Sequence, residues 1–244
     1  MGGMFMGECE CNRCSPKDVK QGTRDRYEAQ WERYDERIAA ERRINNSPVA
    51  DPLLKMVMPF TGKTMVDLGV GTGGFAFRAM ELSSPDRMIG VDFSPHALRI
   101  SKMVARAEPF AAMDFEAVLG DVERIPLASR SADFVLSQAS FNLLPNKEVG
   151  MKEMARIAKP GARILLSDAF RTRKKCEGEP WEACVGGAIT VAEFSTLALT
   201  AGIIVSQQID LTQKVKQLVT SKKWDWPEFV EHKLDYRGFL MLKA

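Results

Sequence analysis

The feature of this 244-residue sequence that most constrains its fold is a regular alternation of short apolar runs with amphipathic segments. Short apolar runs predict strands, and apolar residues repeated every three or four positions predict helices. The two kinds of segment follow one another from residue 64 to residue 209, which is typical of a parallel sheet flanked by helices. The predicted strands are Thr64–Val70, Met88–Phe93, Phe115–Gly120, Asp133–Ser137, Arg163–Ser167, Ile203–Ile209 and a final strand, Phe239–Lys243.

The residues before this alternation predict a separate helical segment. A helical pattern over Asp18–Asn45 places three aromatic residues on one face, and the Asn-Asn-Ser-Pro sequence at 45–48 is expected to end it. A second apolar face follows over Pro52–Pro59. We expect residues 1–16 to be a flexible cysteine-containing tail and residues 17–58 to be a helical lid, whose aromatic face packs on the core or contacts a substrate. The three aromatic residues are Tyr27, Trp31 and Tyr34.

The charge balance and the cysteine pattern limit the possible partners and compartments. Lysine and arginine number 34 against 32 aspartate and glutamate, so no overall field draws the chain to nucleic acid. No apolar run approaches the roughly 20 residues that span a membrane. Five cysteines in two clusters do not resemble a disulfide framework, and we expect a cytoplasmic protein with free thiols. The cysteines are Cys9, Cys11, Cys14, Cys176 and Cys184.

A glycine-rich loop between the first predicted strand and helix indicates a ligand site. Gly69, Gly71 and Gly73 would let the backbone turn sharply and approach a ligand, while the following helix offers free N–H groups. The same loop also satisfies the dinucleotide pattern, through Gly69, Gly71 and Gly74. Asp67 at the end of the strand favours S-adenosylmethionine, since its carboxylate would accept hydrogen bonds from the amino acid portion.

Two further carboxylates stand at the ends of the next two strands. Asp92 would accept hydrogen bonds from both ribose hydroxyls of a nucleoside ligand. Asp121 would accept from an adenine amino group, and the N–H of Val122 would reach a ring nitrogen. Together these positions predict a binding site for a nucleoside-containing cofactor.

Taken in order, these motifs resemble those of class I S-adenosylmethionine-dependent methyltransferases, including the Lys-Pro-Gly sequence at 159–161. The resemblance spans about residues 50–205 and implies S-adenosylmethionine as the cofactor, with Phe93 and Ser137 also in its site. It implies an α/β, Rossmann-like doubly wound, mostly parallel seven-stranded sheet with an antiparallel last strand over residues 59–244. The implied activity is methyl transfer to a small-molecule acceptor.

Within that superfamily, residues 137–143 and 184–189 are similar to segments of the arsenite methyltransferases. This resemblance implies that Cys184 is a thiolate ligand for trivalent arsenic, and Cys176 is a candidate for a second. The chain departs from the family at Ala76 and His232, near which the family has cysteines. The quinone C-methyltransferases are a neighbouring resemblance.

Several alternatives stay open at this point. Cys184 could instead be a thiol that packs a loop, because free cysteines behave as small hydrophobic residues. The tail cysteines could supply thiolates for the acceptor or bind a metal, although three sulfurs fall short of the usual four ligands. Outside the methyltransferases, the glycine loop would suit a nicotinamide-dependent oxidoreductase or a non-catalytic nucleotide-binding module.

Overall fold

The computed structural model of the protein describes residues 16–31, 36–60, 63–173 and 183–244. Seven strands form one sheet in the order β3-β2-β1-β4-β5-β7-β6. All neighbouring strands are parallel except β7, which runs antiparallel between β5 and β6. The predicted fold class, including the antiparallel last strand, is therefore confirmed. The strands are β1 Thr64–Leu68, β2 Arg87–Asp92, β3 Phe115–Leu119, β4 Ala132–Gln138, β5 Ala158–Phe170, β6 Ile203–Asp210 and β7 Asp235–Lys243.

Helices lie between these strands and before them. Two helices precede the sheet, and the others follow in the alternation that the sequence predicts. The described helices are α1 Pro16–Trp31, α2 Glu36–Val57, α3 Gly74–Leu82, α4 Pro95–Arg106, α5 Lys147–Ile157, α6 Ala183–Gly186, α7 Val191–Thr200, α8 Thr212–Thr220 and α9 Pro227–Glu231. A 3-10 turn covers Phe141–Leu143.

Two apolar layers bury the two faces of the sheet. Met65 on β1 belongs to a cluster that includes Leu53 of α2 and Phe77 of α3. The next residue, Val66, belongs to the opposite cluster, which includes Phe194 of α7. Because successive side chains of a strand point to opposite faces, a strand covered on both sides is mainly apolar on both faces. This explains the predominantly apolar sequences of the central strands, to which the buried Asp67 of β1 is an exception.

The predicted end of a helix at residues 45–48 is wrong, since α2 continues to Val57 through Pro48 and Pro52. Proline lacks the N–H that would bond to the carbonyl four residues earlier. The hydroxyl of Ser47 donates to the carbonyl of Ile44 at 2.7 Å and satisfies the acceptor that Pro48 leaves open. The buried face of α2, which includes Val49 and Leu53, holds the helix together across this break.

Other elements differ in extent from the prediction. β5 is thirteen residues long and begins at Ala158, directly after α5. β7 begins at Asp235, four residues before the predicted start, and α8 was not predicted. The short helix α9 begins at Pro227, with the proline at its first position. None of the described helices has the length and apolar composition needed to cross a lipid bilayer.

Candidate functional site

A cavity of about 980 Å³ opens at the carboxyl ends of β1, β2 and β4. The chain builds β1, β2 and β3 outward in one direction and then places β4 on the other side of β1. Loops leave the sheet in opposite directions at such a reversal and create a crevice where α/β proteins bind ligands. The cavity lies at this crevice.

The glycine loop between β1 and α3 forms the floor of the cavity. Gly69 and Gly73 have φ angles of 74° and 89°, which side chains disfavour. A Cβ atom at Gly69 would lie 2.4 Å from Cβ of Ser140, and one at Gly73 would lie 2.2 Å from the ring of Phe77. Both the backbone conformation and the space therefore require glycine, and the backbone of the loop faces the cavity directly.

Asp67 and Asp92 are buried carboxylates on the cavity wall. Burial, followed by the negative charge of Asp92, raises the pKa of Asp67 well above its usual range, although the N–H of Ala76 donates to it and opposes the rise. Burial also raises the pKa of Asp92 to about 6, against the N–H groups of Ser94 and Gly71, which donate to it at 2.9 and 2.8 Å.

Within the part of the chain that the structure describes, no lysine, arginine or histidine forms an ion pair with Asp67 or Asp92. Burying a carboxylate without a cation is unfavourable unless hydrogen bonds or a ligand offset the cost. The pair is therefore suited to a ligand that brings hydroxyl donors and a positive charge. The amino acid and ribose portions of S-adenosylmethionine provide both.

Asp121 lies at the third strand end and on the cavity wall, together with Val122. In this structure Lys20 of α1 donates to Asp121 at 2.5 Å and lies 2.6 Å from a carboxylate oxygen of Glu123. The ion pairs connect α1 to the loop after β3. The role of Asp121 toward an adenine amino group stays a prediction.

Most of the predicted cofactor-binding residues line one cavity, but two of them, Gly73 and Ser137, do not. Gly73 is the residue before α3, and the side chain of Ser137 is buried with its hydroxyl 2.9 Å from that of Ser140. Ser140 lines the cavity and donates to the carbonyl of Leu68. The predicted residues that line the cavity are Asp67, Gly69, Gly71, Asp92, Phe93, Asp121 and Val122.

Helix α1 lies over the part of the cavity that Asp92 and Asp121 line. Tyr27 and Gln30 line it, so the aromatic pattern reaches the cavity at Tyr27 and also packs on the core there. Glu28 lies 2.7 Å from Nδ1 of His96, at the start of α4. The side chain of Trp31 and the whole of Tyr34 lie outside the described residues.

An aromatic wall, made of Trp224, Trp226 and Tyr236, lines the other end of the cavity. The rings of Trp224 and Trp226 each lie 6.3 Å from the ring of Tyr236 in edge-to-face geometry. His232 lies beside this wall and is exposed. From the sequence, Trp224-Asp225-Trp226-Pro227 predicts a turn that opens a short helix, with no role for the tryptophans in a binding site. Two tryptophans so close together in the sequence were the signal that could have indicated a binding surface.

A pair of amide side chains joins α2 to the end of β4. Asn46 donates to Gln138 at 2.7 Å, and Gln138 donates back at 3.3 Å. Both residues line the cavity, and the chain turns after them at Ala139 with a φ of 53°. The pair was not predicted, because its members are 92 positions apart.

The backbone of Cys184 lies in α6, and the next residue, Val185, lines the cavity. Cys176, Cys9, Cys11 and Cys14 lie outside the described residues. Among the residues that are described, no group of three or more histidine, cysteine, aspartate or glutamate residues has the geometry of a metal site.

Comparison with known proteins gives a consistent result. A family model described as a methyltransferase domain matches residues 59–234. An arsenite methyltransferase of Halobacterium salinarum is 29% identical over 170 residues, which cover 67% of this chain and 42% of that protein. A demethylmenaquinone methyltransferase of Lactococcus lactis subsp. lactis is 31% identical over 113 residues, 46% of this chain and 44% of the relative. The chain thus spans less than half the length of either relative.

Solved structures share the fold. A geranyl diphosphate C-methyltransferase from Streptomyces coelicolor A3(2), in complex with Mg²⁺, geranyl diphosphate and S-adenosyl-L-homocysteine, superposes with a TM-score of 0.69 at 14% identity. The match covers 82% of this chain and 79% of that one. A phosphoethanolamine N-methyltransferase of Haemonchus contortus, in complex with S-adenosyl-L-methionine, gives a TM-score of 0.70 at 16% identity, covering 96% and 61% of the two chains.

Proposed function

This chain belongs to the methyltransferase-domain family, and from that premise we propose that it transfers a methyl group from S-adenosylmethionine to a small-molecule acceptor. The observation that carries the proposal is that one cavity is lined from two parts of the sheet, the ends of β1 and β2 on one side of β4, and β7 with the segment before it on the other. One end has the glycine loop and the buried carboxylates, and the other has the aromatic wall.

The residues at the first end fit the cofactor. Asp92 would accept from the ribose hydroxyls, and Asp67 would lie near the amino acid portion, where a positive charge would relieve the repulsion between the two carboxylates. Asp121 and Val122 would face the adenine. When bound, S-adenosylmethionine supplies an electrophilic methyl group on a sulfonium.

The second end would hold the acceptor in line with that methyl group. Positioning alone contributes much of the rate of such a displacement, because it replaces a bimolecular encounter with a bound geometry. The aromatic wall and the amide pair of Asn46 and Gln138 surround the space in which an acceptor would be held. The aromatic rings offer an apolar surface to an acceptor, and Lys223, Asp225 and Glu228 also line the cavity.

We propose trivalent arsenic as the acceptor, with Cys184 as a thiolate ligand and Cys176 as a candidate second ligand. The support is the similarity of residues 184–189 to arsenite methyltransferases, the relative from Halobacterium salinarum, and the place of Val185 on the cavity wall. Arsenic bound by thiolates keeps a lone pair, which would form the new bond to carbon as the bond from carbon to sulfur breaks.

Incubation of the protein with arsenite, glutathione and radiolabelled S-adenosylmethionine tests this proposal. We expect methylated arsenic from the wild type and none from Cys184→Ser, with unchanged affinity for S-adenosylhomocysteine in calorimetry. Cys176→Ser should reduce the rate if that residue is the second ligand. Methylated arsenic from Cys184→Ser at the wild-type rate would contradict the assignment.

A quinol-type acceptor is the second candidate, and the aromatic wall is the observation that favours it. Flat rings stack on tryptophan and tyrosine, and His232 beside the wall could remove a proton from a hydroxyl or carbon acceptor. The demethylmenaquinone methyltransferase relative agrees with this candidate. Methylation of a quinol but not of arsenite in the same assay would select it and make Cys184 structural.

A further inference from the structure

Two buried charged side chains bind the 3-10 turn that follows β4. Asp168, near the carboxyl end of β5, is fully buried, and Lys147, the first residue of α5, is almost so. Neither side chain lines the cavity. Burying a charge is unfavourable unless hydrogen bonds or an opposite charge offset the cost, so two buried charges at one short turn indicate a requirement at that turn.

The two side chains bind complementary polar groups of the turn. The carboxylate of Asp168 accepts from the backbone N–H of Asn142 at 3.0 Å and from its side-chain amide at 2.9 Å. The ammonium group of Lys147 donates to the carbonyl of Asn142 at 3.3 Å and to that of Leu144 at 3.0 Å. Burial raises the pKa of Asp168 to about 6, against the N–H donors and the positive charge of Lys147. We call Asp168 and Lys147 the turn clamp.

The clamped turn belongs to a segment of the cavity wall, residues 140–145. Ser140 donates to the carbonyl of Leu68 at 2.8 Å, so the segment adjoins the glycine loop. The turn also lies beside α6, the helix that contains Cys184. Four residues of the segment line the cavity: Ser140, Leu143, Leu144 and Pro145.

This wall segment lies between the two ends of the cavity. β4, which the segment follows, stands between β1 and β5 in the sheet. β1 carries Asp67 of the cofactor end, and β5 pairs with β7, which carries Tyr236 of the aromatic wall. Residues 140–145 therefore follow the strand that separates the proposed cofactor end from the proposed acceptor end.

We propose that Asp168 and Lys147 are positioning residues for methyl transfer, which fix the part of the cavity wall where the methyl donor and the acceptor meet. This inference rests on the proposed function. Hydrogen bonds to charged groups are stronger than neutral ones, so the clamp holds the turn firmly. A displacement of about 1 Å in an aligned pair of reactants can cost roughly a hundredfold in rate. Because neither side chain lines the cavity, loss of the clamp should lower the rate of transfer more than the affinity for either ligand.

The test compares Asp168→Asn and Lys147→Met with the wild type, using arsenite with glutathione, or a quinol if the wild type methylates that instead. Asparagine has one acceptor oxygen in place of two, and methionine removes the donor from both carbonyls at a similar side-chain length. We expect kcat to fall about tenfold to a hundredfold in each variant, while the KM for the acceptor and the Kd for S-adenosylhomocysteine change by less than about threefold. The double variant should lose little more than the larger single loss, because both changes release the same turn.

Asp133→Asn is the matched control. Asp133 also accepts from a lysine, Lys159, at 2.8 Å and from a backbone N–H, that of Thr64, at 3.1 Å. It lies at the amino end of β4 and does not line the cavity. This variant should lower the melting temperature without lowering kcat per folded molecule, counted from the stoichiometry of S-adenosylhomocysteine binding in calorimetry. Hydrogen exchange of residues 139–146 should become faster in Asp168→Asn but not in Asp133→Asn.

An unchanged kcat in both clamp variants, or an equal fall of kcat in the control, would overturn the proposal and leave the clamp with a structural role only. Additive losses in the double variant would also contradict it, since the two residues would then act separately. If the melting temperature shows that Asp168→Asn does not fold, Lys147→Met decides the outcome. A wild type that binds S-adenosylhomocysteine but methylates no acceptor would overturn the proposed function, and the exchange of residues 139–146 would still decide whether the clamp holds the cavity wall.

Discussion

The two ends of the cavity are built in different ways. At the cofactor end, Asp67, Asp92 and Asp121 lie at or just after the carboxyl ends of three neighbouring parallel strands. At the acceptor end, Asn46 comes from α2 and Trp226 from the segment between α8 and α9, 180 positions later in the sequence. Sheet geometry alone brings the first set together, whereas the second set meets only through packing of distant segments.

The two ends also differ in the kind of side chain that lines them. The cofactor end contains buried carboxylates whose pKa values are raised, and the acceptor end is lined by the aromatic wall and the amide pair, with Lys223, Asp225 and Glu228 also on the cavity wall. If this division is correct, substitutions at the cofactor end should alter cofactor affinity, and substitutions at the acceptor end should alter only the response to the acceptor.

The largest effect is expected for Gly69→Ala. The new Cβ atom would lie 2.4 Å from Cβ of Ser140, on a backbone with positive φ. We therefore expect the free energy of unfolding to fall by about 2–5 kcal/mol. We also expect cofactor binding to become too weak to measure. Urea denaturation and calorimetry measure the two effects. Gly161→Ala is the matched control: it has a φ of 75° but no atom within 4 Å of the added Cβ, and should show only the smaller backbone cost.

The next effect concerns Asp92→Asn, which should weaken cofactor binding by about 1.5–3 kcal/mol. The wild-type affinity should also fall below pH 6, by up to about tenfold per pH unit, because protonation of Asp92 would remove the acceptor that we propose for the ribose hydroxyls. Calorimetry across pH 5–8 checks this. In Asp92→Asn that component of the pH dependence should vanish, and an identical pH profile in the variant would assign the titration to another group.

The same carboxylate affects stability in the opposite sense. Burial raises the pKa of Asp92 above its value in the unfolded chain, so the native state binds the proton more tightly. The contribution of this group to the stability of the ligand-free protein is therefore lost as the pH rises through about 6. Asp92→Asn should retain that contribution at pH 7.

A moderate effect is expected for Trp226→Ala at the acceptor end. Its ring lies 5.0 Å from Phe229 and 6.3 Å from Tyr236, so its removal opens the aromatic wall. The KM for the acceptor should rise about tenfold, on the scale of a lost aromatic contact, with the Kd for S-adenosylhomocysteine unchanged. Trp226→Phe should restore most of the KM. A parallel change in cofactor Kd would break the division between the two ends.

The smallest effect is expected for Lys20→Ala. Its ion pairs with Asp121 and Glu123 involve a side chain that is 37% exposed, so screening limits their contribution to under about 1 kcal/mol. Hydrogen exchange of residues 17–31 should be slowed by S-adenosylhomocysteine in the wild type and less so in the variant. Equal exchange with and without the ligand would leave α1 as ordinary packing and not a lid.

The same contrast explains how far the sequence could predict the structure. Short apolar runs indicate the strands, and apolar residues repeated every three or four positions indicate the helices between them. These local patterns also mark the residues at the strand ends, so the fold and most of the proposed cofactor-binding positions were predictable. The course of α2 through Pro48 was not, because buried contacts outweigh the local preference of proline. The pairing of Asn46 with Gln138 and of Lys20 with Asp121 joins residues 92 and 101 positions apart, and no local pattern encodes such a distance.

The position of β7 has a consequence for the order in which this protein can be completed during synthesis. β6 lies at the edge of the sheet and its hydrogen-bonded neighbour is β7, which the ribosome makes later. Until Asp235–Lys243 has emerged, β6 has no strand to pair with and β5 keeps an open edge, an arrangement prone to aggregation. Tyr236, which completes the aromatic wall, belongs to the same strand. A nascent chain could thus assemble its cofactor end while still tethered, but it would gain a finished acceptor end only after these residues had left the exit tunnel.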